Sequence, residues 1–376
     1  MSLLFAPITM RGLTLPNRIV VAPMCQYSAV DGCATDWHII HLGHLALSGA
    51  GLLILEATGV EPLGRITSDC LGLYSDDNEE ALARVVAVVR RYSTMPIGIQ
   101  LSHAGRKASS KRPSAPGPVD TGEWQTVAPS TVAFSPDRQV PVALDRAGMD
   151  RVIEAFAQAT RRAARLGLDM IEIHSAHGYL LSSFLSPLAN HRTDGYGGCL
   201  ENRMRFPLEV FEAVRAAWPE DRPLGVRCNG TDWHPKGITP DEAVAYARAL
   251  RERGCDYVDV STGGNAVTEI PMEPGYQVPF AAKVRKESGI LTRAVGLIRD
   301  PRHAEAILRE GEADMVALGR GILNEPRWPW HAAEELGETM QVPHQYRRAG
   351  TRAGLPTRDH IPVAPATVKG TSAHVA

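Results

Sequence analysis

The sequence predicts an α/β protein of the TIM-barrel class, a closed (β/α)8 barrel with an N-terminal β-hairpin and a capping insertion after the third strand. Three observations carry this. Eight short apolar runs are spaced along residues 18–318, helix-period segments lie between them, and no glycine-rich phosphate loop follows the first run. An open doubly wound sheet would need such a loop there; this chain has Pro23-Met24-Cys25 instead. Regular strand and helix alternation leaves a parallel barrel as the remaining solution.

The strand runs are 18–23, 51–57, 96–101, 169–174, 223–228, 257–261, 291–295 and 315–318. Helices are expected near 38–48, 78–92, 147–166, 202–217, 240–253, 279–287 and 301–310. Arg161, Arg162 and Arg165 close one helix ahead of Gly167, where cations suit the negative helix end. Thr239-Pro240 and Asp300-Pro301 each open one, with proline in the first turn. Residues 104–146 are rich in Pro, Ser and Gly with β-like pieces at 126–128 and 131–134, and read as a cap over the barrel top. One domain is expected over 1–348, followed by a polar, aperiodic tail over 349–376.

Composition excludes several classes. The 376 residues are 44% hydrophobic and 22% charged, with a formal net charge of -2, so no basic face awaits a nucleic acid. No apolar run is long enough for a membrane span, and the start lacks the pattern of a secretory signal. The six cysteines form no Cys-x-x-Cys pair, which argues for a reduced, cytoplasmic protein without a zinc or iron–sulfur site.

Barrel chemistry collects at the C-terminal ends of the strands. There the fourth strand presents His174, His177 and Tyr179, a set suited to polarise an electron-rich atom and deliver a proton. A structural pair or a metal site are the other readings of His-x-x-His. The metal reading lacks the His-x-His expected on strand one, and no metal is expected. The loops after strands seven and eight, with Val295, Gly296, Gly319 and Arg320, match the usual phosphate site of this architecture. Arg227 ends strand five, where it pairs with a carboxylate such as Glu56 or Asp232 or faces an anionic ligand. Cys25 is a packed thiol or a reactive one, and Lys107 lends weak support to Schiff-base chemistry.

Longer motifs make a resemblance specific. Asn17-Arg18, Ala22-Pro23-Met24-Cys25-Gln26-Tyr27, Glu56-Ala57-Thr58, the run from Gln100 to Lys107, His174 to Leu180, Asn190 to Gly198 and Glu201-Asn202-Arg203 resemble the signatures of the old yellow enzyme family. The likeness runs from about residue 3 to residue 348, and Cys25 with the paired histidines resembles its thermophilic-like bacterial branch. The resemblance implies FMN held non-covalently at the barrel mouth. Pro23, Met24 and Cys25 would line it, Ala57 and Gln100 would bond its pyrimidine edge, Arg227 would sit near N1, and Val295, Gly296, Gly319 and Arg320 would hold the phosphate. It implies an ene-reductase: NADPH or NADH reduces FMN, which then reduces activated alkenes such as enones, maleimides and nitroalkenes. His174 and His177 would hold the substrate oxygen, Tyr179 would be the acid, Cys25 would tune the flavin and Tyr27 would touch substrate. A homodimer or homotetramer is implied, with Arg348 completing a neighbour's pocket.

Two other readings stay open on residues alone: another FMN oxidoreductase, or a barrel that binds a phosphorylated ligand without redox chemistry. The chain departs from the family pattern at Gly195, Cys199 and Cys228-Asn229-Gly230, near the loops that support the flavin. His103 is expected to serve as scaffold.

Overall fold

The computed structural model describes residues 1–113 and 115–348, together with the backbone of Thr357 and Arg358. Eight parallel strands close into a barrel: β1 (Ile19–Val21), β2 (Leu52–Gly59), β3 (Ile97–Ser102), β4 (Met170–Ser175), β5 (Leu224–Asn229), β6 (Tyr257–Ser261), β7 (Leu291–Ala294) and β8 (Met315–Leu318). Each pairs with its sequence neighbours, and β8 returns to β1 with Val316 opposite Ile19. The period of two along each strand divides the core. Val20, Leu52, Ile54, Met170, Tyr257, Met315 and Ala317 fill the interior, while Ile19, Val21, Leu53, Ile171, Val258 and Val316 pack outward against the helices. A hairpin, Ile8–Met10 paired with Leu13–Leu15, adds Ile8, Met10 and Leu15 to the interior cluster and closes the N-terminal end.

Ten helices surround the barrel among the described residues: α1 (Asp36–Ala46), α2 (Asp76–Tyr92), α3 (Arg146–Arg165), α4 (Leu180–Leu185), α5 (Leu200–Ala217), α6 (Pro240–Glu252), α7 (Val278–Ser288), α8 (Pro301–Arg309), α9 (Arg320–Asn324) and α10 (Trp328–Glu335). Their starts follow local chemistry. Thr239 and Glu242 form a capping box ahead of α6, and Asp300 accepts from the amides of Arg302 and His303 at α8.

Seven helices fall where periodicity placed them. The short α4, α9 and α10 do not, because two span less than two turns and α10 has only eight residues, with Trp328, Pro329 and Trp330 in its first turn. In the cap, Val127–Ala128 pairs in parallel with Val142–Ala143, and residues 131–134 form no strand. The β-propensity of that second piece is overridden by side-chain anchors: buried Arg106 donates to the carbonyls of Val132 and Ala133. The expected tail lies outside the described residues except at Thr357–Arg358, which pairs in parallel with Met340–Gln341.

Candidate active site

The strand ends bring His174, His177 and Tyr179 together as the sequence implied. His174 ends β4 and is buried; the chain then turns left-handed at His177 (φ 59°) and Gly178 (φ 73°) before α4. That turn needs glycine. A Cβ on Gly178 would lie 1.9 Å from the Gly264 carbonyl oxygen, so the β4 and β6 loops pack backbone to backbone. Lys107 clamps the junction, its ammonium donating to the carbonyls of His177 (2.8 Å) and Gly264 (3.3 Å). Burial, reinforced by Arg138 and Arg106, brings its amine down to about 7, and its two carbonyl contacts give it a structural part at this junction.

His174 Nε2 and His177 Nδ1 stand 3.3 Å apart, with the rings edge to face. The Tyr179 ring lies 4.7 Å from that of His174. Burial, Arg227 and Lys107 hold both imidazoles well below the usual histidine range, so they are neutral at physiological pH. Burial, reinforced by Cys25 and Tyr27, pushes the Tyr179 phenol well above its usual range. The cluster therefore offers neutral imidazole N–H groups beside a phenol that retains its proton.

Beside it opens a cavity of about 360 Å³. Pro23, Met24, His177 and Arg227 line one part; Val295, Gly296, Gly319 and Arg320 line another. Gly296 has φ 132°, a conformation reserved for glycine, and a Cβ on Gly319 would meet only Met24 Sδ at 3.8 Å. Ser261, Tyr276 and Gln277 also line this space. Tyr276 and Gln277 carried no signal on the sequence, because they follow β6 by a long loop rather than ending a strand.

Other expected site residues stand outside the cavity lining. Cys25 is half-buried behind it, Tyr27 adopts φ 51°, Ala57 and Gln100 are buried on β2 and β3, and Arg348 is exposed at residue 348 on the surface. The neighbouring thiol of Cys70, together with burial, pushes the Cys25 thiol well up. The shift favours the protonated thiol. The 45-residue separation of the two cysteines hid this pairing.

The carboxylate beside Arg227 is neither Glu56 nor Asp232. Glu56 meets His38 at 3.3 Å and the Gln26 amide at 3.1 Å. Asp232 accepts from Ser186, Asn229, Asn265 and the Ile238 amide. Arg227 instead pairs with Asp259 at 3.2 Å, its neighbour across the β5–β6 register. Asp259 and Glu172 share Arg293 inside the barrel, and Glu172 also receives Gln100 (2.7 Å) and Tyr257 (2.9 Å). Which of these interior charges meet depends on the strand register. Asn229, one of the departures from the family pattern, holds the His177 amide at 3.1 Å. His103 bonds Glu61 at 2.8 Å in the scaffold.

At the catalytic end of a parallel barrel, neutral imidazoles, a phenol, two guanidinium groups and glycine loops are suited to bind an anionic small molecule. Residues 3–339 match the NADH:flavin oxidoreductase / NADH oxidase family, and the chain belongs to it. It is 46% identical over 349 residues to an NADPH dehydrogenase of Geobacillus thermodenitrificans, covering 92% of this chain and 98% of that protein. The Bacillus subtilis NADPH dehydrogenase is 42% identical over 347 residues, with the same coverage. Among solved structures, morphinone reductase superposes with a TM-score of 0.74 at 30% identity, covering 90% of this chain and 91% of that one. An old yellow enzyme homologue of Zymomonas mobilis gives 0.75 at 27% identity, covering 90% and 94%. The chain is an FMN-linked NAD(P)H oxidoreductase of the old yellow enzyme type.

The residues fit that cofactor. Glycines 296 and 319 leave the last two β/α loops open to a phosphate, with Arg320 at the rim. Arg227, half-buried and held by Asp259 at 3.2 Å, brings a cation to the same cavity. Among the described residues no group of three or more His, Cys, Asp or Glu is placed to hold a metal.

Proposed function

We propose that this protein is an ene-reductase, reducing C=C bonds conjugated to a carbonyl or nitro group. The observation that carries the reading is the convergence of His174 Nε2 and His177 Nδ1 within 3.3 Å, next to Tyr179 and beside the cavity that Arg227 enters. FMN, when bound, would supply hydride-transfer chemistry between NADPH or NADH and the alkene. Pro23, Met24, Ala57, Gln100 and Arg227 would hold its ring; Val295, Gly296, Gly319 and Arg320 would hold its phosphate.

The chain's own groups then act as follows. His174 and His177 bind the substrate oxygen and stabilise charge that develops on it as the β-carbon is reduced, an effect typically worth about 10²–10³-fold. Tyr179 gives its proton to the α-carbon. Arg227 stabilises negative charge at the cofactor's pyrimidine end. Cys25, protonated and beside Cys70, tunes that cofactor as a neutral thiol, and Tyr27 contacts substrate. We also propose a cytoplasmic homo-oligomer in which Arg348 reaches a neighbouring site; a strictly monomeric, fully active enzyme would end that part.

The test is direct. The purified protein is expected to be yellow and, under anaerobic conditions, to turn over NADPH only when cyclohexenone or a maleimide is supplied. A yellow protein that ignores a panel of enones, maleimides and nitroalkenes would refute ene-reduction while leaving the flavoenzyme intact.

A further inference from the structure

We infer that Ser261 sets the tautomer of His177, and that its hydroxyl proton switches direction when an oxygen ligand enters the site. This rests on the reading of His174 and His177 as an oxygen-binding pair.

The argument begins at His174. Its Nδ1 accepts the backbone N–H of Ala176 at 3.2 Å, and an amide can only donate. A neutral His174 therefore carries its proton on Nε2. That nitrogen faces His177 Nδ1 at 3.3 Å, so without a ligand His177 Nδ1 must be the acceptor. The His177 proton then sits on Nε2, 2.6 Å from Ser261 Oγ, and the serine accepts it. In this state all four ring nitrogens have partners within the protein, and neither N–H is left to donate to a ligand.

Two donors on a substrate oxygen require the opposite arrangement at His177, with the proton on Nδ1 and a bare Nε2. A bare nitrogen 2.6 Å from a hydroxyl is satisfied only if that hydroxyl donates to it. Ser261 is placed to do so. Arg227 Nη2, which can only donate, approaches Ser261 Oγ at 3.4 Å, and Gln277 Oε1, which can only accept, lies 3.2 Å away. The serine proton thus has two acceptors to choose from, Gln277 Oε1 or His177 Nε2. Losing Ser261 leaves Gln277 Oε1 with Thr262 Oγ1 at 2.8 Å, so the switch costs no unpaired group. Ser261 is a positioning residue: it acts on the oxygen ligand through His177.

The experiment uses the wild-type holoenzyme with ¹⁵N-labelled histidine, in the absence and presence of phenol. Long-range ¹H–¹⁵N spectra should show His177 protonated at Nε2 in the free enzyme and at Nδ1 in the complex, with His174 at Nε2 throughout. An unchanged His177 tautomer overturns the inference. In parallel, Ser261→Ala removes the hydroxyl that would donate to a bare His177 Nε2, so its spectra with phenol should lose the Nδ1-protonated His177 that wild type shows. Ser261→Thr, which keeps the hydroxyl, should restore it. An Nδ1-protonated His177 in the Ser261→Ala complex, at equal FMN content, also overturns the inference. If wild type and His174→Ala bind phenol alike, the oxygen-binding pair itself is wrong, which separates that failure from this one.

Discussion

Replacing Tyr179 by phenylalanine isolates one step of the proposed chemistry. The change removes a single hydroxyl and leaves the ring that packs 4.7 Å from His174 and lies beneath the Lys107 ammonium at 5.5 Å. The fold should be unaffected. What is lost is the acid: the phenol, pushed well above its usual range by burial, holds its proton at every working pH and has one place to deliver it. A placed general acid contributes about 10²–10⁴-fold, equivalent to about 3–5 kcal/mol of barrier. Anaerobic stopped-flow separates the two halves of the cycle. Flavin reduction by NADPH should stay within about twofold of wild type, and reoxidation by cyclohexenone should slow by about 10²–10⁴-fold. Equal slowing of both halves, or undiminished reoxidation, would refute the assignment of the proton to Tyr179.

Other outcomes follow from the same geometry. Because both imidazoles are held well below the usual range, phenol affinity should not break near pH 6.5; a break there would show that they titrate as exposed histidines. Gly178→Ala puts a Cβ against the Gly264 carbonyl in a left-handed turn, so it should displace His177 and weaken phenol binding more than FMN binding; wild-type affinity would contradict the packing. Glu172→Ala leaves Arg293 buried with only Asp259 and should cost about 3–5 kcal/mol in urea unfolding, whereas a loss under about 1 kcal/mol would discount the interior network. Burial alone would raise Glu61, but His103 and Arg151 bring it down to about 2. Its folded value is depressed, so its stabilisation is complete above the unfolded value of about 4.5 and fades as pH falls toward 2. Glu61→Gln should therefore lose on the order of 3 kcal/mol near neutrality and almost nothing near pH 2; a pH-independent loss would contradict the linkage.

The barrel was legible because its strands are apolar on both faces. Residues such as Leu52 to Leu55 face the interior and the helices in turn, and every position of β2 is buried, so the run needs no alternation to stand out. The His174–Tyr179 cluster was legible because all its members leave one strand end, where local spacing dictates proximity. Contacts between distant segments were not. Asp259 rather than Glu56 or Asp232 meets Arg227 because the β5–β6 register places it opposite, and register is a property of the closed sheet. Cys70 meets Cys25 through a loop fold, and Asn229 reaches the His177 amide across two strand ends. At less than two turns each, α4 and α9 are too short to show a period, although α4 fixes the chain beyond Tyr179.

The account stands or falls on where the cofactor lies, and a crystal structure of the holoenzyme with a bound phenol measures that directly. The account predicts a flavin across the barrel mouth, its phosphate at Gly296, Gly319 and Arg320, Arg227 at its pyrimidine end, and the phenol oxygen within hydrogen-bond reach of both His174 Nε2 and His177 Nδ1. A flavin whose phosphate is bound elsewhere, or a phenol oxygen that touches neither imidazole, would contradict it.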